Sequence, residues 1–188
     1  MKIRKKCRIC NFRLQNIISF KKISLVGNFN KYKSNDKKFP ISLNFCQKCK
    51  HVQIAEVVNP KKLFSNYLWQ TSVSKTNLLI FSELVNKYKK YFSKKTKVLE
   101  IACNDGSFLN FLQKKFDCFL AGVDPAKNIF IGKKNIKFLN NFFDFSSSKI
   151  LFKKYGKFDI IFARNVLAHV TNPNEIFRGV KKLLSKKG

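Results

Sequence analysis

The sequence predicts an α/β protein in two parts: a small module stapled by four cysteines, then a parallel sheet flanked by helices. Three observations lead there. Two Cys-x-x-Cys pairs lie in the first 60 residues, and the apolar pattern from Lys97 onward alternates strand and helix. Between them, VLEIACNDGSFLNFL (Val98–Leu112) reads as a buried strand running through a tight turn into an amphipathic helix. The 188 residues can bury a real core, and 45% hydrophobic content with 21 Phe argues against disorder.

Residues 1–60 carry Cys7-Arg-Ile-Cys10 and Cys46-Gln-Lys-Cys49, a C-x2-C-x35-C-x2-C arrangement. A two-residue spacing turns both thiolates of a pair onto one ion, and two such pairs complete a tetrahedral sulfur shell suited to structural Zn2+. Cys7, Cys10, Cys46 and Cys49 are therefore the expected ligands. His51 is a spare donor, but four thiolates already close the shell. Residues 61–96 read as a helical connector, with Leu78, Phe81, Leu84, Val85, Tyr88 and Phe92 forming a packing stripe.

From 97 to 188 the expected order is strand 97–102, helix 106–116, strand 118–123, helix 126–134, strand 136–140, helix 146–154, strand 158–163 and helix 173–185. Asn172, Pro173 and Glu175 give the last helix its start signals. Cys103 and Cys118 read as small, half-buried residues, since neither has a histidine beside it in sequence.

The net charge is +29, yet only five of the 39 basic residues are arginine (Arg4, Arg8, Arg13, Arg164 and Arg178). Phosphate-reading surfaces favour arginine, so a solvated lysine surface with nonspecific nucleic-acid binding at low salt is expected. No apolar run approaches about 18 residues and no secretory signal is evident, so no membrane partner and a cytoplasmic location are expected.

A dinucleotide fingerprint would place glycines where this loop has Ala102, Asn104 and Ser107. Glu100 and Asp105 would also repel a pyrophosphate. S-adenosylmethionine has no phosphate and carries a sulfonium and an ammonium, so the acidic turn prefers it to NAD. Glu100, Ala102, Asn104, Asp105 and Gly106 are the expected cofactor edge. Asp124 ends the second strand 24 residues after Glu100, near the spacing of a ribose-binding acid. Phe142, after the third strand, could flank the adenine.

The cysteine pairs, KLFSNYLWQTS (Lys62–Ser72), VLEIACNDGSFL, GVDPA (Gly122–Ala126) and DIIFARNVLAHV (Asp159–Val170), in this order, resemble the zinc-containing, S-adenosylmethionine-dependent C-methyltransferases of nucleotide-linked deoxysugars. The resemblance implies an incomplete Rossmann-like methyltransferase domain at 97–188 and a nucleotide-sugar substrate. It also implies Asn165 as a cofactor contact, Tyr67 as a substrate contact beside an aromatic Trp69, and Cys103 as a mild departure from the family loop. His169, after the fourth strand, is placed as acid, base or electrophile. The family's Tyr-His-Glu-His stretch and C-terminal domain are not in these residues. The chain is thus expected to be the N-terminal half of a longer or split enzyme, weak or inactive alone, with a separate chain as one source of the rest. The alternatives are a basic zinc-ribbon nucleic-acid-binding protein and an NAD-dependent enzyme.

Overall fold

The computed structural model describes residues 1–24, 38–129 and 135–188. It forms two compact units: Met1–Phe64 with Thr171–Asn174, and Ser65–Val170 with Glu175–Gly188.

The first unit contains β1 (Lys2–Ile3), β2 (Gln15–Ile23), β3 (Phe39–Phe45), β4 (Val52–Ile54), β5 (Glu56–Val57) and the short helix α1 (Pro60–Phe64). β1 pairs antiparallel with β5, and β2-β3-β4 form an antiparallel sheet. Its interior is polar. Ser42 donates its N–H and hydroxyl to the Glu56 carboxylate at 2.9 and 2.8 Å, and the Asn44 amide donates to Ser42 Oγ at 2.9 Å. Among the described residues of 1–64, the buried apolar side chains are Cys7, Cys46 and Ala55. Apolar burial this small cannot offset the entropy of ordering the segment, so the cysteine cluster has to supply the difference.

The second unit begins with a 3-10 turn at Thr71–Val73 and helix α2 (Lys75–Tyr88). Its strands are β6 (Lys97–Ile101), β7 (Phe119–Asp124), β8 (Ile136–Asn140) and β9 (Ile160–Phe162), in the order β8-β7-β6-β9, all parallel. Helices α3 (Ser107–Gln113), α4 (Phe145–Tyr155) and α5 (Pro173–Leu183) lie between or after them. Alternation along β6 divides the core. Val98 packs into a cluster with Phe81, Val85, Phe108, Leu109 and Leu112, while Leu99 and Ile101 pack with Leu151, Phe158, Ile176 and Leu183. Both faces are covered, as a parallel sheet requires.

Several local expectations change. The α2 stripe is only partly buried: Phe81 and Val85 are enclosed, whereas Leu78 and Tyr88 are 55% and 39% exposed. Phe81 meets Phe108 and Phe111 of α3 edge-on at 5.1 and 5.8 Å, so α3 covers one line of α2 and leaves the stripe's ends open. Ala126 is irregular and residues 127–129 are turn, not helix, and the rest of the expected 126–134 helix lies outside the described residues. α4 starts one residue early because Asp144 caps it, its carboxylate accepting the Ser147 N–H at 2.7 Å while its own N–H donates to Ser147 Oγ. Cys103 is fully buried, not half-buried.

Gly122 shows how closely β7 and the loop after β6 approach. A Cβ there would lie 2.5 Å from Cys103 Sγ and 2.9 Å from Leu109 Cδ1. Gly122→Ala is expected to destabilise the chain by about 1–3 kcal/mol, and Cys103→Ala in the same chain to restore part of the loss. Thermal denaturation of the wild-type chain and these two variants checks this; an unchanged melting temperature in Gly122→Ala would mean the loop yields freely.

Candidate functional site

The metal centre is built from two backbone knuckles. In the first, the Cys7 N–H donates to Phe12 O and the Asn11 N–H returns to Cys7 O; in the second, Cys46 N–H donates to His51 O and Lys50 N–H to Cys46 O. Asn11 and Lys50, each the residue after a Cys-x-x-Cys pair, adopt left-handed backbone with φ of 62° and 61°. This reversal brings the chain back past the thiols. The four sulfurs lie within 4.8 Å of one another, with Cys7–Cys49 at 3.6 Å and Cys10–Cys46 at 3.4 Å. Zn–S bonds of about 2.3 Å at tetrahedral angles place sulfurs about 3.8 Å apart, so the donor set fits zinc. His51 contributes its carbonyl to the knuckle and is outside the ligand cluster.

At the C-terminal edge of the parallel sheet, the loop after β6 solves the missing-glycine problem by strain. Ala102 and Asn104, at two of the three places where a fingerprint has glycine, adopt φ of 53° and 54°, and Gly106 follows at 73°. A non-glycine residue in this region costs on the order of 1–2 kcal/mol, so other contacts must hold the loop. Asp124 provides them: its Oδ2 accepts the Asn104 N–H and its Oδ1 the Ala126 N–H, both at 2.8 Å. Asn140 donates to the Asp124 and Ala126 carbonyls at 2.9 and 3.1 Å, tying β8 to the same corner.

Residues 65–72 form a strap across this loop, a feature that periodicity could not reveal. Ser65 O accepts the Lys127 N–H, and Tyr67 exchanges two hydrogen bonds with the Asn128 side chain at 2.9 Å each. The Asn104 side chain donates to Trp69 O and accepts the Thr71 N–H, both at 3.0 Å, while Asp105 Oδ2 accepts the Ser72 N–H at 2.8 Å. Asn104 and Asp105 were expected to face a ligand; their side chains instead brace this strap. Asp105 also accepts the Ser107 N–H. Burial tends to raise the Asp105 carboxyl, but the bonds from Ser107 and Ser72 win and hold it below the usual range.

Glu100 is paired with an arginine from the segment after β9. It is 1% exposed, and its Oε1 accepts from Arg164 Nε and Nη2 at 3.0 and 2.6 Å. The guanidinium lies over the rings of Phe81 and Phe108, at 4.6 and 4.3 Å from their centroids. Glu100 Oε2 is buried with no hydrogen-bond partner among the described residues. Burial pushes the Glu100 carboxyl up to about 7 against the pull of Arg164, with Asp105 and Asp124 adding to the rise. Burial also raises Asp124, opposed by the N–H groups of Ala126 and Asn104. The Cys103 thiol is driven well above its ordinary value by burial and by the charges of Glu100 and Asp124, which makes it inert.

The remaining residues stand at the same sheet edge without sharing these contacts. Phe142 is half-buried just beyond β8, Asn165 is exposed in left-handed backbone after β9 (φ 52°), and His169 is exposed in a 3-10 turn at Leu167–His169. Arg164, Asn128 and Asn140 were not singled out from sequence. Only Arg164 carried a signal, as one of five arginines in a lysine-rich chain.

Two expectations follow. The folded chain should hold one zinc per molecule by elemental analysis, and Cys46→Ser should lose it and expose residues 1–64 to protease. A zinc-free chain with a protease-resistant N-terminus would contradict the metal centre. Glu100 has a folded-state pKa raised from 4.5 to about 7. The native state therefore binds its proton more tightly than the unfolded state, and stability from this group is full below about pH 4.5 and lost as pH rises through 7. The loss is on the order of 3 kcal/mol. Denaturation from pH 4.5 to 8 should show that decline relative to Glu100→Gln, which lacks it; parallel profiles would refute it.

Residues 7–64 match the family described as "Putative zinc binding domain", and residues 75–188, more than half the chain, match the family described as "Methyltransferase domain". The C-methyltransferase NovU of Streptomyces niveus is 23% identical over 190 residues, covering 97% of this chain and 45% of NovU. The tRNA U34 carboxymethyltransferase of Sulfurimonas denitrificans is 30% identical over 142 residues, covering 69% of this chain and 43% of that protein. The chain thus spans under half the length of these curated relatives. Among solved structures, the plantazolicin methyltransferase BpumL, in complex with a pentazolic desmethylPZN analog and SAH, aligns at 19% identity with a TM-score of 0.48, over 61% of this chain and 46% of that one. No described helix is long and apolar enough to cross a membrane. The chain belongs to the methyltransferase-domain family, as an S-adenosylmethionine-dependent methyltransferase fold joined to a zinc-binding domain.

Proposed function

We propose that this chain is the zinc-bearing, methyl-donor-binding part of a C-methyltransferase acting on a nucleotide-linked keto-deoxysugar. One observation carries the donor site. Three of only ten acidic residues, Glu100, Asp105 and Asp124, are buried at one corner of the parallel sheet, and one Glu100 oxygen lacks a partner among the described residues. Burying carboxylates together is unfavourable unless cations join them; Arg164 supplies one, on Glu100 Oε1, and a sulfonium–ammonium ligand would supply another. The acceptor assignment rests on the five ordered motifs and on the similarity to NovU along 97% of the chain.

S-adenosylmethionine, when bound, supplies an electrophilic methyl group. The chain's own residues bind and orient. Asp124 keeps a second lone pair on each oxygen for ribose hydroxyls, and the Ala102–Gly106 backbone allows close approach. Phe142 and Asn165 complete the cofactor side. Tyr67, fixed through Asn128, faces the acceptor, and His169 acts on the acceptor proton or developing oxyanion. The chain works in the cytoplasm.

An RNA acceptor is the second reading, supported by the +29 charge and by the similarity to the tRNA carboxymethyltransferase. Calorimetry with zinc-loaded chain separates the two. S-adenosylhomocysteine should bind and NADH should not, Asp124→Ala should weaken the former about 10-fold or more, and affinity for tRNA should collapse with salt. Tight tRNA binding that survives physiological salt would replace the sugar with RNA, and no binding of S-adenosylhomocysteine would end the donor assignment.

A further inference from the structure

The first cysteine knuckle is held from a distant part of the chain. Thr171–Asn174 forms one compact unit with Met1–Phe64. Two hydrogen bonds make the joint: Arg4 Nη1 donates to Thr171 O at 3.1 Å, and Asn174 Nδ2 donates to Ile9 O at 2.9 Å. Ile9 lies inside the Cys7-Arg-Ile-Cys10 pair, and its carbonyl belongs to the peptide that leads into Cys10. A peptide is planar, so a bond that fixes where this carbonyl points also fixes the backbone that carries the Cys10 thiol. The rest of the knuckle is braced in the same manner. The Ile9 N–H donates to Cys7 Sγ at 3.4 Å, and the Arg8 N–H donates to Gln53 Oε1 at 2.9 Å. Helix α5 does not need the Asn174 side chain for its own start, because Pro173 already supplies a first helical residue.

We propose that Asn174 is a positioning residue of the metal centre: 165 residues from Ile9, its side-chain amide sets the Cys7–Cys10 knuckle for zinc, and zinc loading in return holds the chain at Thr171–Asn174. This rests on the four-thiol metal centre and not on the donor or acceptor assignments. Groups that orient a metal's ligands without touching the metal change affinity by roughly 10- to 100-fold. The Asn174 bond is exposed, where water competes for both partners, so its effect is smaller. Linkage makes the effect reciprocal: whatever Asn174 adds to zinc affinity, zinc adds to the hold on Asn174. Thr171 is the second residue after His169, so loading of the metal reaches the stretch of chain that follows the side chain assigned to the acceptor.

Competition between the zinc-loaded full chain and a chromogenic chelator reads the affinity. Asn174→Ala should weaken it about 5-fold. Asn174→Asp keeps the size of the side chain but, once ionised, has no hydrogen to donate, so it should lose at least as much. Cobalt in place of zinc gives absorption bands that follow the geometry of the thiolates, and these bands should shift in Asn174→Ala, which a weakened helix start alone would not cause. The tie can also be read in the wild-type chain, even if Asn174→Ala does not fold. The nitrogen-15 signal of the Asn174 side-chain amide, identified by its loss in Asn174→Asp, should move and exchange faster with water when zinc is stripped. Wild-type zinc affinity and cobalt bands in Asn174→Ala, or an amide signal that ignores zinc, would each overturn the role of Asn174 and leave the metal centre standing. A wild-type chain that binds no zinc would overturn both.

Discussion

Asp124 joins the ends of two neighbouring strands, and the rest of the candidate site depends on that junction. Its carboxylate accepts the Asn104 and Ala126 N–H groups, which holds Asn104 in left-handed backbone where glycine would be easier. Asn104, so placed, offers its side chain to Trp69 and Thr71, and Asp105 offers its carboxylate to Ser72. The strap in turn leads into α2, whose Phe81 packs on Phe108 of α3 and under Arg164. A strained loop is thus stabilised by a chain of hydrogen bonds and aromatic contacts that ends at the Glu100 counter-ion.

Charge is distributed against the composition. A chain with 39 basic and 10 acidic residues is strongly basic in composition, yet the corner beyond β6 and β7 concentrates three carboxylates. The exposed lysines are screened by solvent and contribute little to the fold. The buried acids have no such relief, and their raised and lowered carboxyls record how each is handled: Asp105 by amide donors, Glu100 by Arg164, Asp124 by amides that only partly offset burial.

The N-terminal unit reaches stability by another route. Ser42, Asn44 and Gln53 are buried where an ordinary sheet would bury aliphatic side chains, while Ile17, Ile18 and Phe20 of β2 are about half exposed. With so little apolar burial, a four-thiolate metal shell takes the place of a core, as is usual in small zinc modules.

Much of this was legible in the sequence for a physical reason: short-range pattern reports short-range structure. Cys-x-x-Cys spacing determines that two thiols share a knuckle, and alternation of apolar residues determines four parallel strands with Asp124 at the end of one. What pattern cannot report is which polar groups find each other across the fold. Asn104 and Glu100 read as ligand-facing residues because their positions are on the right edge, but position does not say where a side chain spends its hydrogen bonds. Sixty-four residues separate Glu100 from Arg164, and 33 separate Asn104 from Thr71; only the folded chain brings them within reach. The sequence by itself determined the four-thiol metal shell and the parallel sheet. The tertiary structure alone decided that the loop is strapped down by residues 65–72 and that a single arginine, held by two rings, meets the buried acid, because both depend on contacts between segments that only packing makes neighbours.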